Sequence, residues 1–369
     1  MKECIVVAGG GTGGHVYPVL AVLDELNDFR VVWIGSGSPL ERRILQGREL
    51  RYYAIPTGKL RRYFSLRNFF DLFKILLGLI RSVAILLRER PKLVFSKGGY
   101  VSVPPVVAAR LLGIPSLTHE SDLHPGLATR INSRFSESVL VSFADSVRYF
   151  DGRSGAAVIH TGNPVRATLF AGDRAVGRDL VGCPADLPLL LVLGGSLGSA
   201  AVNRLLLQSL EHLRAACFVV HQLGTANFAG EQRRDNYYPA SYFHETLPHL
   251  LAAADLVLCR AGANTLWELA ALGKPSVLIP LPGEISRGDQ IENARFFAEA
   301  GAALVLQQEG LSVQALSRAV LNLLGNADKL ERMARHAAQL GRPEAAGRIA
   351  ELIAAKVARR AAGGGSGTA

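Results

Sequence analysis

Short runs of apolar, often β-branched residues alternate with amphipathic stretches along almost the whole chain, and this alternation restricts the fold more than any other feature. The runs have the length of strands, and the stretches between them have the spacing of helices. The predicted strands are 3–8, 30–35, 51–55, 92–96, 114–119, 138–143 and 157–161, followed by 187–194, 217–222, 240–243, 255–259, 275–280 and 302–306. Apolar strands that alternate with helices form parallel sheets covered on both faces, so the predicted fold class is α/β.

A glycine-rich turn follows the first predicted strand of each half of the chain. The first turn is Gly9–Gly14 and the second is Gly194–Gly198. A length of 369 residues is also more than one hydrophobic core usually organises. We therefore expect two Rossmann-like parallel-sheet domains that face each other across a cleft, with a boundary near the proline turn at 162–164.

The first glycine turn matches the dinucleotide fingerprint, since Gly9, Gly11 and Gly14 have the required spacing between a strand and a helix. Such glycines let the backbone approach an anion closely at a helix N-terminus. A dinucleotide site also needs an acidic residue at the end of the second strand, where this chain has residues 33–38 without an acid. The turn therefore indicates an anion site, and hydride transfer is disfavoured.

His15 follows the first glycine turn directly and should lie in the first turn of a helix. A histidine there can simply cap or pack. Beside a helix N-terminus at the mouth of a cleft, however, its neutral form should be favoured, which suits a general base. We prefer the functional interpretation.

A third strand-to-helix turn spans residues 260–268 and ends with Glu268 about one helical turn inside the helix. A carboxylate at this place can accept hydrogen bonds from a ribose diol. It can also do no more than complement the helix dipole, which contributes about 0.3–1 kcal/mol at exposed sites.

The net charge of +10 is concentrated in one segment, since residues 59–92 carry nine Lys or Arg against two Asp or Glu. Part of this segment must pack on the first sheet as an ordinary helix, but its apolar face is too wide for that contact alone. Basic residues beside exposed aromatic and aliphatic ones favour docking on an anionic leaflet over nucleic-acid binding. The residues assigned to this membrane patch are Arg61, Arg62, Tyr63, Phe64, Arg67, Phe69 and Phe73.

The chain has no uncharged run near the roughly 20 residues that span a bilayer, and its start lacks the apolar core of a secretory signal. Its four cysteines are scattered, and three of them lie in strand-like runs, which predicts buried reduced thiols. These features predict a cytoplasmic location.

Seven motifs, taken together, resemble those of the bacterial N-acetylglucosaminyltransferases that convert lipid I to lipid II in peptidoglycan synthesis. They are AGGGTGGHVYP at 8–18, SKGGYVSVP at 96–104, HESDLHPGLA at 119–128, GNPVR at 162–166, GGSLGS at 194–199, CRAGANTLWE at 259–268 and RGDQIENA at 287–294. The resemblance covers residues 1 to about 357. It implies a two-domain GT-B fold, UDP-N-acetylglucosamine as donor, lipid I as acceptor and inversion to a β linkage.

The resemblance also implies particular roles for residues of this chain. Glu268 would bind the ribose hydroxyls, Arg166 would lie near the diphosphate, and Gln290 would contact the transferred sugar. The full implied set for UDP-N-acetylglucosamine is Thr12, Gly13, Gly14, His15, Asp122, Arg166, Ser196, His244, Glu268 and Gln290, and the set for the acceptor and its diphosphate is Gly11, Thr12 and Tyr100.

One motif departs from the family pattern. Many members carry His-Glu-Gln-Asn where this chain has His119-Glu120-Ser121-Asp122. An ionised Asp accepts hydrogen bonds but cannot donate them as Asn does. If Asp122 replaces the Asn that contacts the sugar's hydroxyls, it can still accept from O4–H and share the role of base. The catalytic candidates are therefore His15 first, then Asp122, with Glu120 beside them.

No D-x-D pair in a loop and no cluster of His and Cys stands out in the sequence, so neither a metal nor another cofactor is expected. Backbone N–H groups and helix dipoles would then stabilise the charge of the leaving UDP. The partners implied by the resemblance are the two substrates, the anionic cytoplasmic leaflet of the bacterial inner membrane, and cell-wall synthesis or division proteins. Nucleic acid is not among them.

The resemblance divides the chain by function. Residues 1–163 would form the acceptor and membrane-associating domain, and residues 164–341 the donor domain. A helix at about 342–357 is expected to pack back on the first domain, and the Gly/Ser-rich tail 361–369 is predicted to be disordered.

The sequence disfavours three other classes of function. A different GT-B enzyme on UDP sugars, such as a glycolipid transferase or a UDP-N-acetylglucosamine epimerase, is disfavoured by the motifs at 119–128 and 259–294. A nicotinamide or flavin oxidoreductase is disfavoured by the missing acid. A pure binding protein is least favoured, because so many polar candidates converge on one sugar nucleotide.

Overall fold

The structure is a computed structural model that describes residues 2–11, 13–58, 66–150, 155–195, 198–228, 230–283 and 288–363, with the backbone alone at 66–70 and 361–363. The chain divides into two compact units. The first consists of Met1–Pro164 together with Glu344–Ala369, and the second of Val165–Pro343. The chain therefore passes from one unit to the other twice.

The first unit is built on a parallel sheet. Its strands within the described residues are β1 Glu3–Ala8, β2 Phe29–Gly35, β3 Arg51–Ala54, β4 Leu93–Ser96, β5 Ser116–Glu120, β6 Ser138–Val141 and β7 Ala157–His160. They lie in the order β3-β2-β1-β4-β5-β6-β7, and each neighbouring pair is parallel. The order reverses between β1 and β4, and in open α/β sheets ligands bind at such a switch point, beyond the carboxyl ends of the strands.

Helices cover both faces of this sheet. They are α1 Gly13–Leu23, α2 Pro39–Leu45, α3 Leu66–Glu89, α4 Val103–Leu111, α5 Leu127–Asn132 and α13 Ala345–Gly363, with 3₁₀ turns at Tyr100–Ser102 and Ala144–Tyr149. Alternate residues of β1 enter opposite cores, since Ile5 and Val7 face α1 and α13, while Val6 and Ala8 face α3 and α4. Burial on both faces explains why β1 is a continuous apolar run.

The second unit repeats the plan with a parallel sheet in the order β10-β9-β8-β11-β12-β13. Its strands within the described residues are β8 Leu189–Leu193, β9 Phe218–Gln222, β10 Tyr237–Ala240, β11 Leu256–Cys259, β12 Ser276–Leu278 and β13 Ala303–Val305. Its helices are α6 Arg174–Val181, α7 Ala200–Arg214, α8 Leu247–Ala253, α9 Ala263–Ala271, α10 Asp289–Glu299, α11 Val313–Leu324 and α12 Ala327–Leu340, preceded by a 3₁₀ turn at Ala167–Ala171. The order reverses between β8 and β11, which marks the carboxyl ends of these strands as the place for a ligand.

The predicted α/β class with two Rossmann-like parallel sheets is confirmed. The strand predicted at 240–243 is wrong. The strand in this region is β10, Tyr237–Ala240, and most of the predicted segment lies after it. The predicted tail 361–369 lies outside the described side chains.

Candidate active-site residues

The first glycine turn lies at the switch point of the first sheet, between β1 and α1. A Cβ added at Gly10 would lie 2.6 Å from Glu41 Oε2, so only glycine fits there. The Glu41 carboxylate is buried beneath the turn and accepts hydrogen bonds from Trp33 Nε1 at 3.0 Å and from Ser36 N at 3.1 Å. Glu41 therefore places a carboxylate near the end of β2, where a dinucleotide site would have its acidic residue. This carboxylate is buried and hydrogen-bonded within the protein.

Tyr100 lies against this turn, and His15 lies against the glycine turn that follows β4. A Cβ added at Gly11 would lie 3.3 Å from the Tyr100 hydroxyl, and one added at Gly99 would lie 3.1 Å from His15 Nε2. The structure thus brings three predicted residues together, and both side chains are half-buried. Thr12 lies outside the described residues, while Gly13 and Gly14 begin α1.

The loop after β5 is organised by Glu120. Its carboxylate accepts backbone N–H groups from Ser121 at 2.9 Å, Asp122 at 3.1 Å and Gly126 at 3.0 Å. Both carboxylate oxygens are used, and the residue is 6% exposed. Glu120 therefore anchors the loop that carries Asp122, and Asp122 itself is only half-buried.

A buried polar network supports this loop, and most of it could not be predicted from the sequence. Lys97, directly after β4, donates to Ser121 Oγ and to Asn163 Oδ1, the latter at 3.4 Å. Burial lowers the pKa of Lys97 to about 8, against the opposing effect of the Glu120 and Asp122 carboxylates. His119 is within 3.0 Å of Gly162 O, and burial, helped by Lys97, holds its pKa well below the usual range.

In the second unit, Glu268 on α9 pairs with Arg166, which directly precedes the 3₁₀ turn Ala167–Ala171. Arg166 Nη2 lies 3.2 Å from Glu268 Oε1, and both side chains remain partly exposed. Burial raises the pKa of Glu268, and the Arg166 guanidinium opposes that change. Two residues 102 positions apart, both predicted for the donor site, are therefore in contact.

The second glycine turn leads from β8 into α7. Ser199 caps this helix, because its Oγ accepts from Val202 N, and it also accepts from Arg260 Nη2 at 2.8 Å. Arg260 further donates to Ile279 O at 3.0 Å and Gln308 Oε1 at 2.6 Å. Arg260, which the sequence analysis noted only as part of a motif, thus ties the ends of several strands to the N-terminus of α7. Ser196 lies outside the described residues.

Two glutamines complete this side of the second sheet. Gln222 donates to Gly195 O at 3.2 Å and accepts from Phe243 N at 3.1 Å, so it joins the glycine turn to the segment that precedes His244. Gln290 on α10 accepts from Leu281 N at 3.1 Å. His244 is exposed, with its ring 4.5 Å from that of Tyr242.

Within the described part of the chain, no group of three or more His, Cys, Asp or Glu could hold a metal ion.

The predicted membrane patch is described only in part. Arg61, Arg62, Tyr63 and Phe64 lie outside the described residues, and Arg67 and Phe69 are on α3 without described side chains. Phe73 is 66% exposed. Other large apolar side chains of α3 are also exposed, namely Leu72, Leu76, Leu77, Ile80 and Leu87.

Two turns at helix N-termini, each with polar side chains at the carboxyl ends of a parallel sheet, are typical of enzymes that handle phosphorylated ligands. Residues 5–141 match the model of the glycosyltransferase family 28 N-terminal domain, and residues 189–349 match the model of its C-terminal domain. The fold and the two matches define a glycosyltransferase.

The chain is also similar to UDP-N-acetylglucosamine–N-acetylmuramyl-(pentapeptide) pyrophosphoryl-undecaprenol N-acetylglucosamine transferases. It is 42% identical to that of Treponema denticola, over 95% of this chain and 97% of the relative. It is 43% identical to that of Treponema pallidum, over 95% of each. The chain therefore belongs to this family of transferases.

Solved structures agree with this assignment. MurG of Acinetobacter baumannii superposes with a TM-score of 0.72 at 29% identity, over 95% of this chain and 99% of that one. A UDP-N-acetylglucosamine 2-epimerase from Neisseria meningitidis has a TM-score of 0.68 at 16% identity, over 95% and 99%. The second likeness shows the fold alone.

Proposed function

We propose that this chain transfers N-acetylglucosamine from UDP-N-acetylglucosamine to the C4 hydroxyl of the N-acetylmuramoyl pentapeptide of lipid I, with inversion to a β linkage. The product is lipid II for peptidoglycan synthesis. The observation that carries the proposal is the identity of 42–43%, over 95% of the chain, with relatives whose names state this transfer.

The second unit is the proposed donor site. The carboxylate of Glu268 accepts hydrogen bonds from the ribose hydroxyls, and Arg166 supplies positive charge for the diphosphate. The N-terminus of α7, capped by Ser199, adds N–H groups and a partial positive charge. Gln290 contacts the sugar, and the backbone near His244 reads the uracil edge. The contact between Arg166 and Glu268 supports this assignment, because it places a cation beside the ribose-binding carboxylate.

The first unit is the proposed acceptor site. The glycine turn at 9–14 and Tyr100 border the acceptor diphosphate, with His15 beside them. A half-buried His or carboxylate can take the proton of the attacking hydroxyl if it lies within hydrogen-bond reach. We assign this role first to His15 and second to Asp122, while Glu120 holds the Asp122 loop.

The reaction exchanges one bond for another. The acceptor O4 forms a bond to C1 of the sugar, and the bond between C1 and the UDP oxygen breaks. The proton of O4 passes to the base, and UDP leaves with the bonding electrons. Arg166 and the helix N–H groups then stabilise the growing negative charge of the leaving group.

We further propose that α3 docks the chain on the anionic inner leaflet as a peripheral protein. Leu72, Phe73, Leu76 and Ile80 expose apolar surface, and Lys74 and Arg81 on the same helix are exposed. Apolar insertion together with basic side chains, at about 1 kcal/mol for each charge near the surface, favours an anionic leaflet. Within the described residues, no helix is long and apolar enough to cross a membrane. The expected cell-wall synthesis and division proteins stay a prediction.

UDP release with a short-chain lipid I analogue tests the proposed reaction. Release should require the acceptor, and an analogue without the C4 hydroxyl should not support it. His15→Ala should lower kcat by about 10²–10⁴-fold, the usual contribution of a general base, while the KM for the donor changes little.

Asp122→Asn is the matching variant for the second candidate base. If it lowers kcat as much while His15→Ala does not, the base is Asp122. Release without acceptor, or conversion of the donor to another UDP sugar, contradicts the proposed transfer.

A further inference from the structure

Lys97 is a buried cation that the reaction described above does not use. It directly follows β4 and is 2% exposed. Its backbone N–H donates to Ala8 O at 3.2 Å, and a Cβ added at Gly9 would lie 3.6 Å from the Lys97 Cβ. The side chain therefore starts directly beside the first glycine turn. Lysine is almost never fully buried unless it is paired, so this position needs a reason.

The partners of the ammonium group lie at the loop after β5. Lys97 donates to Ser121 Oγ and Asn163 Oδ1. Ser121 Oγ also donates to Asn163 Oδ1 at 2.9 Å. The carboxylates of Glu120 and Asp122 favour the charged form of Lys97. Lys97 thus links the end of β4 to residues 120–122. Asn163, near the end of the segment Met1–Pro164, accepts hydrogen bonds from both Lys97 and Ser121.

The two carboxylates beside Lys97 differ in what they can do. Glu120 has both oxygens occupied by backbone N–H groups and is buried. Asp122 is half-buried at the next-but-one position. Charge interactions are reciprocal, so an ammonium that is stabilised by Asp122 must stabilise the Asp122 carboxylate equally.

We propose that Lys97 is a positioning residue of the acceptor site, whose ammonium fixes the Ser121–Asp122 turn and keeps Asp122 ionised as an acceptor for the hydroxyl that attacks. This inference rests on the proposed function, because it assigns Asp122 to the acceptor. It also explains how an Asp serves where many members of the family carry Asn: the nearby cation compensates the added negative charge.

Titratable groups on the neighbouring strands and on α1 bear on any pH dependence. They are His119, Glu120 and Asp122 on β5 and its loop, His15 on α1 beside Gly99, and His160 at the end of β7, whose Nε2 lies 3.1 Å from Ser142 O. His119 is held neutral, because burial and Lys97 both lower its pKa. Loss of the ammonium charge should raise the pKa of Asp122, so the part of the acidic limb that Asp122→Asn abolishes should move to higher pH.

Lys97→Met tests the inference, with Lys92→Met as its matched control. Lys92 flanks the other end of β4, is exposed in part, and lies 3.8 Å from Glu3. Lys97→Met should move the acidic limb of kcat/KM for the acceptor up by about one pH unit, the lower end of the effect of a neighbouring charge. Below that limb the rate should fall about 10-fold, whereas the KM for the donor should not change. Lys92→Met should behave as wild type.

The pH profile, and not stability, separates positioning from a purely structural role. Removing one partner of a buried charged network leaves the other charges uncompensated, so Lys97→Met should lower the Tm. Lys97→Arg, which keeps the charge, should keep the limb near its wild-type pH. Lys97→Gln keeps a donor for Ser121 without the charge and should shift the limb as Lys97→Met does.

A double-mutant cycle with Asp122→Asn gives the decisive comparison. At a pH below the acidic limb, Lys97→Met should lower kcat/KM for the acceptor about 10-fold in the wild-type background and less than about 2-fold beside Asp122→Asn, because the charge it serves is then gone. An equal cost in both backgrounds or an unmoved acidic limb overturns the inference, and Lys97→Gln takes the place of Lys97→Met in the cycle if that variant does not fold. If neither the wild type nor Lys92→Met shows acceptor-dependent UDP release, the proposed function is contradicted instead.

Discussion

At the scale of single residues, burial and a neighbouring charge act in opposite directions on the pKa of Glu268. Burial raises its pKa and Arg166 opposes that rise, and the proposed hydrogen bonds from the ribose hydroxyls need its ionised form. Donor affinity should therefore weaken as the pH falls through the raised pKa of Glu268. Glu268→Gln should raise the KM for UDP-N-acetylglucosamine at least about 10-fold at neutral pH, since hydrogen bonds to charged groups contribute about 1.5–3 kcal/mol, and should remove this pH dependence.

The control for this prediction is Glu299→Gln, which changes an exposed carboxylate on α10 of the same unit. It should leave both the KM and its pH profile unchanged. Arg166→Met should move the weakening of donor affinity to higher pH, because Glu268 then loses the cation that favours its ionised form. A pH profile that is identical in wild type and Glu268→Gln contradicts the role of this carboxylate.

Single residues also show where reasoning from the sequence stops. His15, Tyr100 and Glu268 could be found because each stands at a strand-to-helix turn, where a motif or a glycine indicates its place. Lys97 and Asn163 could not, because they are 66 positions apart and meet only when β4, β5 and β7 are ordered in one sheet. Gln222 gave no signal either, because it reads as the end of an ordinary buried strand.

At the scale of elements, α3 is the proposed membrane-docking helix, and it exposes several large apolar side chains. Phe73→Ser combined with Leu76→Ser removes two exposed apolar side chains of this face. Full burial of each is worth about 1.5–3 kcal/mol, so partial insertion predicts roughly 10-fold weaker binding to vesicles that contain an anionic lipid. Turnover of a short-chain acceptor in detergent should be unchanged.

The matched control for α3 is Val176→Ser combined with Leu180→Ser on α6, which also removes two exposed apolar side chains but from the second unit. Vesicle co-sedimentation at low and high salt measures both variants. Binding by the wild type should weaken with salt, because exposed charges are screened. Equal loss in the α6 control would mean that nonspecific apolar contact, and not α3, holds the chain on the vesicle.

The strands show which elements the alternation of sequence can predict. Buried central strands such as β1 and β8 are continuous apolar runs and were predicted within a few residues. β10 was misplaced because it contains Pro239, which weakens the strand signal at Tyr237–Ala240. β10 is an edge strand of its sheet, and edge strands tolerate a proline because one side has no hydrogen-bonding neighbour.

At the scale of the whole molecule, the first unit is completed by a helix from the other end of the chain. Ile349, Ile353 and Val357 of α13 lie in the same core as Ile5 and Val7 of β1. The second unit is one continuous segment, Val165–Pro343, with a core of its own. A defect in α13 should therefore destabilise the first unit and leave the second unit intact.

Ile353→Ala tests this division in the full chain. A cavity at a fully buried isoleucine should lower the free energy of unfolding of the first unit by about 2–5 kcal/mol. If the second unit holds the proposed donor site, UDP binds only its folded form and should raise the melting temperature of that unit by mass action. Calorimetry should then show one transition that falls with Ile353→Ala and another that rises with UDP, while Glu351→Ala, at an exposed position of α13, moves neither. If the mutation and UDP shift the same single transition, the two units unfold together, and the donor site depends on the helix that completes the first sheet.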